Sequence, residues 1–212
     1  MKNLILILFL FLGLNNYSQI NVDSIGIYMF EMHNQMREDL GISKRYMSKY
    51  CKQASKNHLD YLLKYGFADA HNQTKVFVGN KILRTPNDRY NYYNRDSIKV
   101  VDLDYVKYVK PFSYDGEICT AQEMRIDVND NNVNKIIAKT LLQNFIDSKW
   151  HNFHLISDDY SSADKIVRGY FSVNYKMTNG FYNFHCVAVF DHSRKSGLEV
   201  SKDYNKGYCN LY

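Results

Sequence analysis

Ser148, His151 and His154 stand close together in the chain. A hydroxyl beside imidazoles is the raw material of nucleophilic or metal-assisted chemistry. An apolar run leads into them, with Val133, Ile137, Leu141 and Phe145 recurring every four residues, which predicts a helix. If that helix continues, Ser148, His151 and Leu155 share a face with Phe145. A nucleophile and its base would then emerge where the apolar stripe ends, and His151 and His154, three apart, would make a chelating pair. The plainer alternative is a helix whose polar end caps itself, with His151 simply hydrogen-bonded.

Two further groups with chemistry lie far away in sequence. His71 follows a second predicted helix, whose stripe runs through Met47, Cys51, Ala54, His58, Tyr61, Leu62 and Tyr65. Ser48 is its expected cap and Gly66 its expected stop. His58, inside that stripe, reads as a core histidine bonded to its neighbours. Glu117 lies in a Gly116-Glu117 pair between the Tyr-rich segment and the third helix. No local rule brings His71, Glu117 and His151 together.

The elements that must position these groups are legible in outline. Asp23 or Ser24 is expected to cap a first helix with the stripe Ile25, Tyr28, Met29, Met32 and Met36, ended by Gly41. Ile98 to Val109 is rich in β-branched and aromatic residues and reads as a strand within a Tyr-rich stretch, 72–115, that holds both prolines, Pro86 and Pro111. Tyrosines there could cover the core or hold a sugar or peptide. Near the end, Val167, Gly169, Phe171 and Val173 alternate with Arg168, Tyr170 and Ser172, and Phe184, Cys186 and Ala188 mark a second strand. Asn179-Gly180 between them is a hairpin signal, so 166–175 and 181–190 should pair antiparallel. The stretch 191–212 reads as a polar tail.

Lys2, the apolar run Leu4 to Leu14 and the small polar residues Asn15 to Ser18 read as an export signal over residues 1–18. Spanning a bilayer needs about 20 apolar residues, so no integral membrane span is expected there. The remaining residues, 19–212, suit a single domain. The net charge of +5 is scattered, without a dense basic run, and nucleic acid is not an expected partner. An exported protein can hold disulfides, and four cysteines allow three pairings. Cys186 on a strand is expected to tie down Cys209 in the tail, leaving Cys51 and Cys119 together or free.

The stretch Phe145 to Leu155 resembles the Trp-x-x-Ser-x-x-His-x-x-x-Leu signature of bacterial CAP domains, the superfamily of cysteine-rich secretory, antigen-five and pathogenesis-related proteins. Phe145 stands for the Trp. Asn34-x-x-Arg37-x-x-x-Gly41, His71 after the second helix and Gly116-Glu117 follow the family's order, with Ile118 where Asn is usual. The resemblance implies an α+β fold, a three-layer α-β-α sandwich with a small antiparallel sheet. It implies a cavity lined by His71, Glu117 and His151, a donor set that suits zinc or another divalent transition metal. It also implies a secreted or periplasmic binding module for a lipid, peptide or glycan. The alternative is a secreted hydrolase using Ser148, His151 and Glu117.

Overall fold

The computed structural model describes residues 20–67, 69–75, 78, 81–94, 98–102, 105–109, 113–156 and 165–194. The expected export signal and Cys209 lie outside them. Helix α1 spans Val22–Asp39 and α2 spans Lys49–Tyr65, with the two-residue strand β1 (Tyr46–Met47) between. Helix α3 (Pro86–Tyr93), strands β2 (Ile98–Asp102), β3 (Tyr105–Val109) and β4 (Ser113–Met124), and helices α4 (Val133–Asp147) and α5 (Lys149–Ile156) follow. Strands β5 (Lys165–Thr178) and β6 (Phe181–Arg194) close the described chain.

The main sheet runs β1-β5-β6-β4. β5 and β6 pair antiparallel through the expected turn, where Asn179 and Gly180 take φ of 52° and 80°. Both central residues of a type I′ turn need that left-handed backbone, which Asn and Gly tolerate best. The neighbour β4 also pairs antiparallel with β6, and β1 pairs parallel with β5. The sheet is therefore mixed at one short edge. In place of the single strand expected over Ile98 to Val109, β2 and β3 pair antiparallel as a separate two-stranded sheet.

Helices cover both faces of the sheet, giving the α-β-α sandwich. Along β6, Phe184, Cys186, Ala188 and Phe190 join Ile25, Met29, Leu141 and Phe145 in one core. The alternate residues Val187 and Val189 join Cys51, Ala54, Leu62 and Tyr90 in a second core. Period-2 alternation thus divides one strand between two layers. Burial of both faces explains why the strand reads as almost continuously apolar. Gly26 marks the tightest approach of α1 to the sheet, since a Cβ there would lie 2.5 Å from the Phe171 carbonyl oxygen.

Local signals place most helix ends. Ser48 caps α2 by accepting from the Cys51 amide, and Gly66 ends it at φ 88°. Asn21, rather than Asp23 or Ser24, caps α1 by accepting from the Ser24 amide. Helix α3 was not foreseen, although Thr85, Pro86 and Asp88 carry its signal: Thr85 and Asp88 form a reciprocal capping box with Pro at the first turn. Strand β6 continues to Arg194, so 191–194 are strand and not tail. Cys51, Cys119 and Cys186 are buried free thiols. Cys186 packs its sulfur 3.9 Å from the Met29 sulfur inside the core, and Cys209, its expected partner, lies outside the described residues.

Candidate functional site

The third helix is not continuous. Ser148 ends α4 with an extended backbone, φ −90° and ψ 113°, and α5 starts afresh at Lys149. The shared face expected for Ser148 and His151 is lost at this break, because helical spacing does not carry across an extended residue. No hydrogen bond joins Ser148 to His151 among the described residues. His151 instead packs edge-on against Phe145, with ring centroids 5.4 Å apart.

What fixes α5 is its C-terminal end. A helix leaves its last carbonyls without partners and concentrates negative charge there. Arg37 Nη1 donates to the Leu155 carbonyl at 2.7 Å and His33 Nε2 at 3.0 Å. Arg45 Nη2 donates to the His154 carbonyl at 2.8 Å. All three side chains are buried. Asn34 in turn holds Arg45 by two bonds to its backbone, each 2.9 Å, and Arg37 Nε donates to the Ser43 carbonyl. The spacing Asn34-x-x-Arg37-x-x-x-Gly41 therefore has a physical purpose. It folds the loop after α1 into a clamp on α5.

So held, α5 presents His151 and His154 toward the β4 edge of the sheet. A Cβ on Gly116 would lie 2.7 Å from His154 Nδ1, so the imidazole packs where the glycine has no side chain. Asn152 and Ile156, around the helix, line a different hollow of about 540 Å³ with Met32, Met36, Leu40 and Ile146. Helix α5 separates that apolar hollow from the histidine side.

Glu117 leaves β4 on the opposite face, into the α2 and α3 layer. Arg89 Nη2 lies 2.7 Å from both carboxylate oxygens. The same nitrogen donates to the His71 carbonyl at 2.9 Å, which ties the loop after α2 to the pair. His71 Nδ1 lies 3.3 Å from Glu117 Oε1. A carboxylate only accepts, so Nδ1 carries the proton and Nε2 is the open lone pair. Burial alone would raise the Glu117 pKa, but the His71 hydrogen bond and the Arg89 charge overcome it and hold the carboxyl below its usual range.

His58 lies in this group too. Its Nε2 is 2.7 Å from the Ala70 carbonyl and its Nδ1 faces the Gln73 amide at 3.3 Å. It is the bonded core histidine expected, although it stands 3.6 Å from Glu117.

Of the expected set, then, His71 and Glu117 touch, and His151 makes no hydrogen bond to Glu117. Burial lowers the pKa of both His151 and His154. His71 thus meets β4 at Glu117 and His154 at the adjacent Gly116, on opposite faces of the strand. Taken as direct ligands of one ion, His71, Glu117 and His151 fit poorly, since Glu117 is already neutralised by Arg89.

Arg89 was not among the expected site residues, and neither was Asp191. Asp191 is fully buried and accepts from Arg168 Nε and Nη2 at 2.8 and 2.7 Å, from Tyr90 at 2.8 Å and from Ser48 at 3.1 Å. Burial works against the Arg168 charge, but Asp191 raises its pKa further. Arg89 and Tyr90 both come from α3. Helix α3, within the Tyr-rich stretch, thus supplies partners to two buried acids.

No family model matches the chain, and no curated protein matches it. Among solved structures it is similar to an extracellular protein of Bacillus anthracis strain Ames that contains an SCP domain. Identity is 14% and the TM-score 0.41, with 78% of this chain and 40% of that one covered. It is also similar to the CAP domain of enterococcal PrgA, at 15% identity and a TM-score of 0.39, covering 88% of this chain and 68% of that one. The chain thus spans two fifths of the Bacillus anthracis structure. The layer order and the closing hairpin fall where the CAP resemblance implies. The fold is the α-β-α sandwich that the CAP resemblance implies. Among the described residues no helix is long and apolar enough to cross a membrane.

Proposed function

We propose that the chain is an exported CAP-like binding module whose ligand site is the histidine-lined edge of β4. The observation that supports this is the commitment of Glu117. Its carboxylate is paired with Arg89 and hydrogen-bonded to His71, an arrangement that orients His71 rather than transferring protons. His71 is 43% exposed at its side chain, so its free nitrogen is open to a ligand. Lipid, peptide and glycan are the classes to test, and zinc or a similar divalent metal suits the imidazoles.

The hydrolase alternative needs Ser148 against His151, with Glu117 behind it. The break at Ser148 and the pairing of Glu117 with His71 instead weigh against it, because a triad depends on geometry. A broad esterase and protease screen tests the choice, with Ser148→Ala alongside. Neither protein should turn over substrate above background. His71→Ala should weaken capture from a panel of lipids, peptides and glycans. Turnover by the native chain that Ser148→Ala removes would replace binding with hydrolysis.

A further inference from the structure

The apolar hollow beside α5 takes no part in the histidine edge. Met32, Met36 and Leu40, at the C-terminal end of α1, make one wall, and Ile146 and Ile156 make the other. Its polar rim includes Gln35 and Asp39, which hydrogen-bond to each other at 2.8 Å. A volume of about 540 Å³ is ample for a large side chain, since pockets of about 300–1,000 Å³ hold whole drug-sized molecules. Leu40 is 57% exposed, so the hollow opens to solvent.

Beside this hole stands a knob. Lys149, Asn152, Phe153 and Ile156 follow the i, i+3, i+4, i+7 spacing, so the face of α5 that lines the hollow also carries Phe153 and Lys149. Trp150, three residues before Phe153, continues the ridge outward. Trp150 is 78% exposed and Phe153 54%. One exposed apolar side chain needs no explanation, but a row of them leading into an apolar hollow marks an interaction surface. The clamp of Arg37, His33 and Arg45 on the far end of α5 holds the ridge in place.

Charge narrows what can cover this face. Asp39 lies on the rim at the negative end of α1, and Asp147 follows Ile146 at the end of α4. An acidic rim works against fatty acids and anionic headgroups. It suits an apolar knob accompanied by a cation, and Trp150, Phe153 and Lys149 are that combination. Knob and hole lie side by side on one rigid helix, so those of a single copy cannot meet. A two-fold axis brings each to the other's counterpart, the isologous pairing of most homodimers.

We propose that this face is a self-complementary dimer interface. Trp150 and Phe153 of one copy enter the hollow between α1, α4 and α5 of a second copy, and Lys149 meets Asp39 on that copy's rim. With aromatic side chains of about 150–250 Å² each, the exposed parts of the four rings in a dimer offer roughly 600 Å². The walls they cover lose a similar area, which together reaches the total of about 1,200 Å² at which stable interfaces begin. The interface is separate from the histidine-lined edge of β4, so neither reading falls with the other.

Sedimentation velocity of the full chain over a dilution series tests this, with fluorescence read in parallel, because Trp150 is the chain's single tryptophan. The native chain should pass from monomer to dimer as concentration rises, and its emission should shift to the blue as the indole leaves water. Trp150→Ala should weaken association about thirtyfold, the effect of an interface hot spot. Leu40→Arg should close the hole to a similar extent and keeps the fluorescent reporter. Both substitutions alter exposed side chains, so the variants should keep the native circular dichroism. A mixture of the two should recover association in part, since a mixed pair retains one knob and one open hole. A native chain that stays monomeric throughout, or a dimer that survives both variants, overturns the interface. Absence of recovery in the mixture means that like packs on like, and overturns the pairing of knob with hole. A monomer whose emission shifts only with zwitterionic lipid vesicles, or only with an apolar peptide, gives the face to that partner and overturns the dimer.

Discussion

Arg89→Leu should destabilise the protein by about 3–5 kcal/mol, the usual cost of leaving one partner of a buried ion pair uncompensated. Both side chains are buried, and the guanidinium lies 2.7 Å from each Glu117 oxygen. Without Arg89, burial is left to dominate the carboxyl, and its pKa should rise. The native pair holds that pKa below the unfolded value. Its contribution is therefore present above the unfolded carboxylate pKa and fades as the pH falls through the folded one. Adding Glu117→Leu to Arg89→Leu should recover most of the loss, because apolar replacement of a whole buried pair is often close to neutral. Urea unfolding of the native chain, Arg89→Leu, Glu117→Leu and the double variant gives the coupling energy. A single-variant cost under about 1 kcal/mol, the value of a surface pair, would mean that water reaches the site.

The readable parts of this chain were those governed by local rules. Asn179-Gly180 must turn because its backbone is left-handed, and Ser48 and Gly66 bound α2 for similar reasons. The two closing strands followed from alternation. The buried cations were not readable, since an arginine in a sequence normally means a solvated surface. Arg37, Arg45, Arg89 and Arg168 are all buried instead, each answering a carbonyl or carboxylate supplied by another element. The helix break at Ser148 was hidden for the same reason. Neither glycine nor proline marks it, and α5 is held by α1 and its following loop. His71 and Glu117 could be paired only through the family resemblance.

His33 should make the fold acid-labile well before its carboxylates titrate. Its ring is fully buried among Phe30, Phe171 and Phe190, and Nδ1 has no hydrogen-bond partner among the described residues. Burial, together with the charges of Arg45 and Arg37, lowers its pKa from 6.5 to about 3. The unfolded chain takes up a proton below about pH 6.5 that the native state refuses until near pH 3. Stability from this group is therefore complete above pH 6.5 and declines as the pH drops through that window. The linkage amounts to about 2 kcal/mol by pH 5 and roughly 5 kcal/mol in full. His33→Phe removes the titrating group and keeps a ring of similar shape against the three phenylalanines. It also removes the bond to the Leu155 carbonyl, but Arg37 continues to donate there at 2.7 Å. The variant should match the native protein within about 1 kcal/mol at pH 8, the net worth of one hydrogen bond. At pH 5 it should be the more stable of the two. Urea midpoints at both pH values decide the matter, and parallel losses in the two proteins would place the acid sensitivity elsewhere.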